Sequence, residues 1–235
     1  MTADCLMKRM AVGGHFLLIG WVGEVAAQTA PSTVERSAYT GLLAAAARGD
    51  TDRIEALITR GAKVDERDDY GRTPLHVAAY GGGHHGAMRA LVAAGADPNA
   101  LEQDRYDIVT IAAVANDVPT LALALALGGR ATNVTSRYDG TALIAAAHLR
   151  HGDVVRALIK AGAPLDHVNN LGWTALIESI VLGDGGARHT DTLTALVEAG
   201  ANVNLADRSG QTPLVLAQVR GYDAMVAVLR RGGAR

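Results

Sequence analysis

The chain has 235 residues, 49% of them hydrophobic but only 4% aromatic, with a formal net charge of −2 and an isoelectric point near 6.4. That balance argues against a general nucleic-acid binder, which presents a basic face. The length admits one or two ordinary domains or a single array of short repeats.

The N-terminus carries Lys8 and Arg9, then a mostly apolar run over residues 11–22, then Val25-Ala26-Ala27-Gln28. A basic start, a run too short to span a membrane, and small residues at the −3 and −1 positions predict a signal peptide over residues 1–27, cleaved after Ala27. Extending the run to spanning length would bury Glu24 and Gln28 in lipid, so no stable membrane span is expected. Cys5 is the only cysteine and precedes the cleavage site. A processed chain would hold no disulfide and would depend on packing alone. Residues 28–37, QTAPSTVERS, are polar and aperiodic and read as a flexible leader.

From residue 38 onward one pattern recurs. In Asp68-Asp69-Tyr70-Gly71-Arg72-Thr73-Pro74-Leu75-His76-Val77-Ala78-Ala79, Thr73 can cap a helix and Pro74 suits its first position, where the missing N–H costs nothing. Leu75, Ala78 and Ala79 then share a face, and the alanine pair lets a neighbouring helix approach closely. Degraded copies begin at Thr40, Asp107, Thr141, Thr174 and Thr212, and a glycine closes the second helix of each unit, at Gly61, Gly95, Gly128, Gly162, Gly200 and Gly233. The spacings of 34, 33, 34, 38 and 33 residues define six repeats over residues 38–235. In repeat three Asp107 replaces the capping threonine. Repeat five carries five extra residues, placed by sequence in a polar, glycine-rich excursion over residues 183–191 between its two helices. The second helix of repeat six ends in Arg230-Arg231, charges that suit the water-facing cap of an array.

Chemistry-bearing strings are few. Gly81-x-Gly83-x-x-Gly86 matches a dinucleotide-binding pattern in letters, but follows a helix where that pattern needs a strand. His84-His85 and the pair His148 and His151 raise a metal or small-molecule site, with no cysteine or carboxylate spacing to complete it. No nucleophile elbow, phosphate loop or HExxH string occurs, so neither an enzyme nor a cofactor is expected.

The TPLHVAA string and its period resemble the ankyrin repeat. The resemblance implies an all-α solenoid of about six helix-turn-helix repeats joined by β-hairpin loops, with His76 hydrogen-bonding between repeats and His84 and His151 at the histidine of the Gly-His step. It also implies a non-catalytic scaffold for another protein, bound through the hairpin tips and the inner helices. Counting back from each helix start places Tyr39, Tyr70 with Arg72, Tyr106, Tyr138 and Trp173 at or beside those tips, five of the seven aromatics that a processed chain would keep. Tyr and Trp offer large contact area with few rotamers to freeze, so these six residues are the candidate partner-binding set. Rings stacked between neighbouring hairpins for stability would produce the same row. With a leader in front, the array is similar to exported ankyrin proteins of Gram-negative bacteria, which implies a periplasmic partner. A secreted effector acting on host proteins, or a small-molecule or metal-binding protein using the histidines, are the alternatives.

Overall fold

In a computed structural model that describes residues 30–235, twelve of the thirteen helices among the described residues form six pairs at the predicted spacing. The pairs are α2 (Gly41–Arg48) with α3 (Thr51–Thr59), α4 (Pro74–Tyr80) with α5 (His85–Ala93), and α6 (Ile108–Val114) with α7 (Val118–Ala126). They continue with α8 (Ala142–His148) and α9 (Gly152–Lys160), α10 (Ala175–Val181) and α11 (Ala187–Glu198), and α12 (Pro213–Val219) and α13 (Asp223–Arg231). The remaining helix, α1 (Thr33–Ala38), precedes the first pair. No helix among the described residues is long and apolar enough to cross a membrane.

Local chemistry sets the boundaries. Thr73 Oγ1 accepts from the His76 N–H at 3.4 Å, while His76 Nδ1 accepts from the Thr73 N–H at 3.2 Å, a capping box with histidine in the usual acidic place. Asp107, Thr141, Thr174 and Thr212 cap α6, α8, α10 and α12 through the N–H three residues on, at 2.8 to 3.4 Å; such a cap contributes about 1 kcal/mol. The six closing glycines all have φ between +80° and +99°, a left-handed turn that other side chains resist. The N–H after each returns to a carbonyl five residues back, as from Ala62 to Leu57.

Each first helix packs on the next, α2 on α4, α4 on α6 and so on to α12, with Ala45-Ala46, Ala78-Ala79, Ala112-Ala113 and Ala146-Ala147 buried between them. The second helices contribute Ile54, Met88, Leu91, Leu121, Val154, Leu158, Leu193, Leu196, Met225 and Leu229, all inaccessible. The core therefore runs the length of the stack, so each repeat is stable only against its neighbours.

Between pairs the chain makes a hairpin on a common frame. The side-chain oxygens of Asp68, Glu102, Ser136, Asn169 and Asp207 each accept from the N–H groups two and four residues on, at 2.8 to 3.4 Å. In repeat four the hairpin also forms short antiparallel strands, β1 (Val134–Thr135) and β2 (Gly140–Thr141). Hairpins bond to one another through Gln103 N–H to Tyr70 O and Asn170 N–H to Tyr138 O, both at 2.9 Å.

Two segments differ from their sequence reading. Helix α1 lies largely within the polar stretch read as leader, and Ser32 and Glu35 close a reciprocal capping box on it. The surplus of repeat five is mostly helix: α11 starts at Ala187 and has 12 residues where the other second helices have nine, leaving a loop only at residues 183–186. His189, in the extra turn, and Thr192 are both buried. The signal-peptide reading falls on residues 1–27, outside the described residues.

Candidate binding site at the hairpin bases

The common frame separates the candidate residues into two registers. Tyr70, Asp104, Tyr138, Leu171 and Ser209 stand two residues after the frame residue, at the hairpin tip, whereas Arg72, Tyr106, Gly140, Trp173 and Gln211 stand four after it, at the base against the helix cap. Tyr39, just before the Thr40 cap, belongs with the base set. The expected single row of aromatics is thus two rows, one at the tip and one at the base of the hairpins. Tyr70 is 45% exposed, but Arg72 is wholly buried and Tyr106 is 7% exposed, while Tyr39, Tyr138 and Trp173 are half-buried.

Arg72 is therefore corrected from surface contact to internal strut. Its guanidinium pairs with Glu35 of α1 and, at 2.7 Å, with Asp68 Oδ2, and it lies 4.5 Å from the centroid of the Tyr70 ring. The Tyr39 hydroxyl donates to Asp68 Oδ2 at 2.6 Å. Burial, together with that carboxylate, pushes the Tyr39 phenol far above its usual range, while Tyr39 and Arg72 hold Asp68 below the carboxylate range against the cost of burial. Glu35 is held at about 2, first by its bonds to Ser32 and then by Arg72. At this end, sequence candidates Tyr39 and Arg72 are occupied in fastening α1 to repeat two.

Farther along, Tyr106, Tyr138 and Trp173 converge on one cavity of about 190 Å³. Its floor comes from three first helices: Thr110 and Val114 of α6, Ile144, Ala145 and His148 of α8 with Leu149 beyond it, and Glu178 of α10 with Leu182 beyond it. Its rim comes from the hairpins of repeats four and five, including Ser136, Gly140, Asn169 and Leu171. The lining is mainly apolar, with one carboxylate, Glu178, whose side chain is 7% exposed. Asn169 Nδ2 donates to Glu178 Oε1 at 2.8 Å, and His148 Nδ1 stands 3.4 Å from Oε2. The Asn169 orientation is set by its carbonyl oxygen, which accepts from the Leu171 and Trp173 N–H groups.

Glu178, Asn169 and Gly140 were not among the residues singled out as a site by sequence, and His148 was singled out only as half of a metal pair with His151. A signal for Glu178 was nonetheless there. Four residues after the cap, the other repeats have Ala44, Val77, Ile111, Ala145 and Leu216, so a lone carboxylate breaks an apolar column.

The histidines join repeats. His76 Nε2 donates to Ala100 O at 3.0 Å and Tyr106 O at 3.2 Å, and burial lowers its pKa to about 4. His84 and His151 each donate through Nδ1 to a carbonyl 38 residues back, Ala46 and Ala113, and His189 Nε2 donates to His148 O. Tyr222 repeats the step with its hydroxyl on Gly183 O at 2.9 Å. His84, His151 and His189 thereby satisfy a carbonyl near the C-terminal end of the preceding repeat's first helix, and Tyr222 satisfies one just beyond it.

A family model described as ankyrin repeats in three copies matches residues 16–102 and 109–207. The ankyrin repeat protein YahD of Escherichia coli strain K12 is 31% identical over 193 residues, which cover 82% of this chain and 95% of YahD. An ankyrin repeat domain from Acinetobacter baumannii AYE superposes with a TM-score of 0.76 at 40% identity, over 83% of this chain and 98% of that one. The ankyrin repeat domain of Bcl-3, of the IkappaB protein family, gives 0.75 at 28% identity, over 84% and 88% respectively.

Proposed function

Because the chain belongs to the ankyrin-repeat family, whose repeats mediate protein–protein interaction, we propose that it is a non-catalytic scaffold that acts in the bacterial periplasm and holds its partner at the cavity of repeats three to five. The observation that carries this reading is the convergence of Tyr106, Tyr138 and Trp173 on one apolar opening, in a chain with few aromatics to place. Rigid rings around a recess are what a partner's anchoring side chain requires. Tyr39 and Arg72, engaged internally, are left out of the contact set, and Tyr70 serves as a packing surface for Arg72.

Export rests on residues 1–27 alone. Mass spectrometry of the protein from its native host should find an N-terminus at Gln28 in the periplasmic fraction. An intact Met1 in the cytoplasm would overturn the location, and recovery from the culture supernatant would favour a secreted effector instead. For the scaffold itself, the full chain as bait in periplasmic extract should retain a protein that the Tyr138→Ala, Trp173→Ala double variant loses. Truncation of such anchors costs about 2 kcal/mol each, roughly thirtyfold in affinity. Equal retention by the double variant would move the partner surface off this opening.

A further inference from the structure

We propose that the cavity receives an arginine side chain of the partner, with Glu178 as its counter-charge and the rings of Tyr138, Trp173 and Tyr106 as its walls; this rests on the scaffold reading above and names the chemistry of the group bound.

The cavity exists because a side chain is missing. At the base register, repeats one, two, three, five and six carry Tyr39, Arg72, Tyr106, Trp173 and Gln211, and repeat four carries Gly140. Nothing local calls for glycine there. Its φ is outside the left-handed region, and an added Cβ would meet nothing closer than Ser136 Oγ at 3.4 Å and Ile144 Cγ2 at 3.7 Å. What the glycine does is leave open the space between the repeat-three and repeat-five rings.

That space contains a carboxylate whose only basic neighbour is a histidine. A buried carboxylate is costly unless it is paired. Glu178 has a neutral amide, Asn169, on one oxygen, and the other meets only the His148 ring nitrogen at 3.4 Å, an ion pair only when that histidine is protonated. None of the residues that line the cavity is a lysine or arginine. Lone pairs on Oε2 therefore remain for a donor that arrives from outside.

Repeat two shows which donor fits. There the hairpin reads Asp68-x-Tyr70-x-Arg72, and Arg72 lies under the Tyr70 ring with its guanidinium on carboxylates. Repeat four reads Ser136-x-Tyr138-x-Gly140. The tip tyrosine is kept, the arginine is deleted, and a carboxylate waits in the vacated volume. A guanidinium delivered by a partner would stack on aromatic faces, bury its apolar stem and present a planar fork of donors to Glu178, where a lysine offers a single point charge.

The test titrates the full chain, in a Trp21→Phe background so that Trp173 is the only tryptophan, with the blocked peptide acetyl-Ala-Ala-Arg-Ala-Ala-amide. Fluorescence should change saturably. The citrulline peptide, which keeps the shape without the charge, should bind weaker by roughly tenfold or more, and so should the arginine peptide on Glu178→Gln, since a charged hydrogen-bonded pair is lost. Gln can still accept from Asn169, so that variant should keep its thermal midpoint. A second variant, Gly140→Arg, should abolish peptide binding and raise the midpoint by occupying the cavity from within, and Glu178→Gln in that variant should erase the gain. Equal binding of citrulline, equal binding of the lysine peptide, or no binding at millimolar arginine peptide would each overturn the proposal. A captured partner that Glu178→Gln and Gly140→Arg retain as well as the wild type would overturn it too, with the scaffold reading intact. If the peptides discriminate as stated but no protein partner is retained by the bait, the cavity stands and the scaffold reading falls.

Discussion

In repeat two the position before the helix cap is Arg72, sealed between Glu35, Asp68 and the Tyr70 ring; in repeat four the same position is Gly140, and the space it vacates lies between Tyr106 and Trp173. The backbone frame is the same in both, with Asp68 or Ser136 accepting the same two N–H groups. The difference teaches that a repeat array separates shape from use. The ladder of caps, glycines and frame residues holds each hairpin, so the base side chain is free to fasten one repeat and open another.

The largest expected effect breaks the sealed end. Arg72→Ala removes the cation from two carboxylates, one of them largely buried, and breaking a buried pair from one side costs about 3–5 kcal/mol. A urea midpoint should show it. A loss below about 1 kcal/mol, the worth of an exposed pair, would mean that the two ends do not differ in kind.

Next comes His76, which ties repeat two to repeat three. Its Nε2 donates to two carbonyls while Nδ1 accepts from the Thr73 N–H, and burial disfavours a second proton on the ring. The native pKa, about 4, lies below the unfolded value near 6.5, so the unfolded chain binds more protons between them and stability rises with pH. The stabilisation is complete above about pH 6.5 and is lost toward pH 4, a swing of about 3 kcal/mol. His76→Gln keeps a side-chain acceptor at that helix position. The wild type should lose about 3 kcal/mol more than this variant between pH 7 and pH 4. Parallel curves would show that His76 titrates normally.

A smaller effect separates Tyr39 from the rings at the cavity. Tyr39→Phe keeps the ring and removes the hydroxyl that donates to Asp68. Bonds to charged groups contribute about 1.5–3 kcal/mol, and Arg72 still holds that oxygen, so a loss of about 1.5 kcal/mol is expected in thermal or urea unfolding, with binding unchanged.

The repeats were legible because their punctuation is chemical. The six closing glycines all adopt the left-handed turn, and Asp107 caps α6 although it replaces threonine. Helix α1 was legible in principle, since Ser32 and Glu35 have capping-box spacing, but six residues without an apolar stripe give no periodicity to find. The burial of Arg72 was hidden because its partners are Asp68, four residues away, and Glu35, 37 residues away across a helix pair. The two hairpin registers were hidden for a different reason: spacing locates a turn but does not say which of its residues points out. A cavity made by the absence of a side chain is the hardest feature to read, because Gly140 sits in a hairpin, where glycine is ordinary.

The smallest effect is the sharpest test of that absence. If Gly140 is there to leave space and not to turn the chain, alanine should be tolerated. Its φ suits any residue, and the new Cβ would be in ordinary contact with Ser136 and Ile144. Gly→Ala at a compatible position stabilises by about 0.4–1 kcal/mol through the entropy of the unfolded chain. Gly71, one residue before Arg72, offers the contrast. Its φ is +71°, and a Cβ there would come within 3.3 Å of the Gln103 backbone nitrogen, whose N–H bonds to Tyr70. Gly71→Ala should therefore destabilise, by about 1 kcal/mol or more for the backbone conformation alone. Thermal unfolding of the two variants side by side should give shifts of opposite sign. A destabilised Gly140→Ala would mean that the hairpin of repeat four needs its glycine for the fold, and the cavity would then be a by-product of the turn.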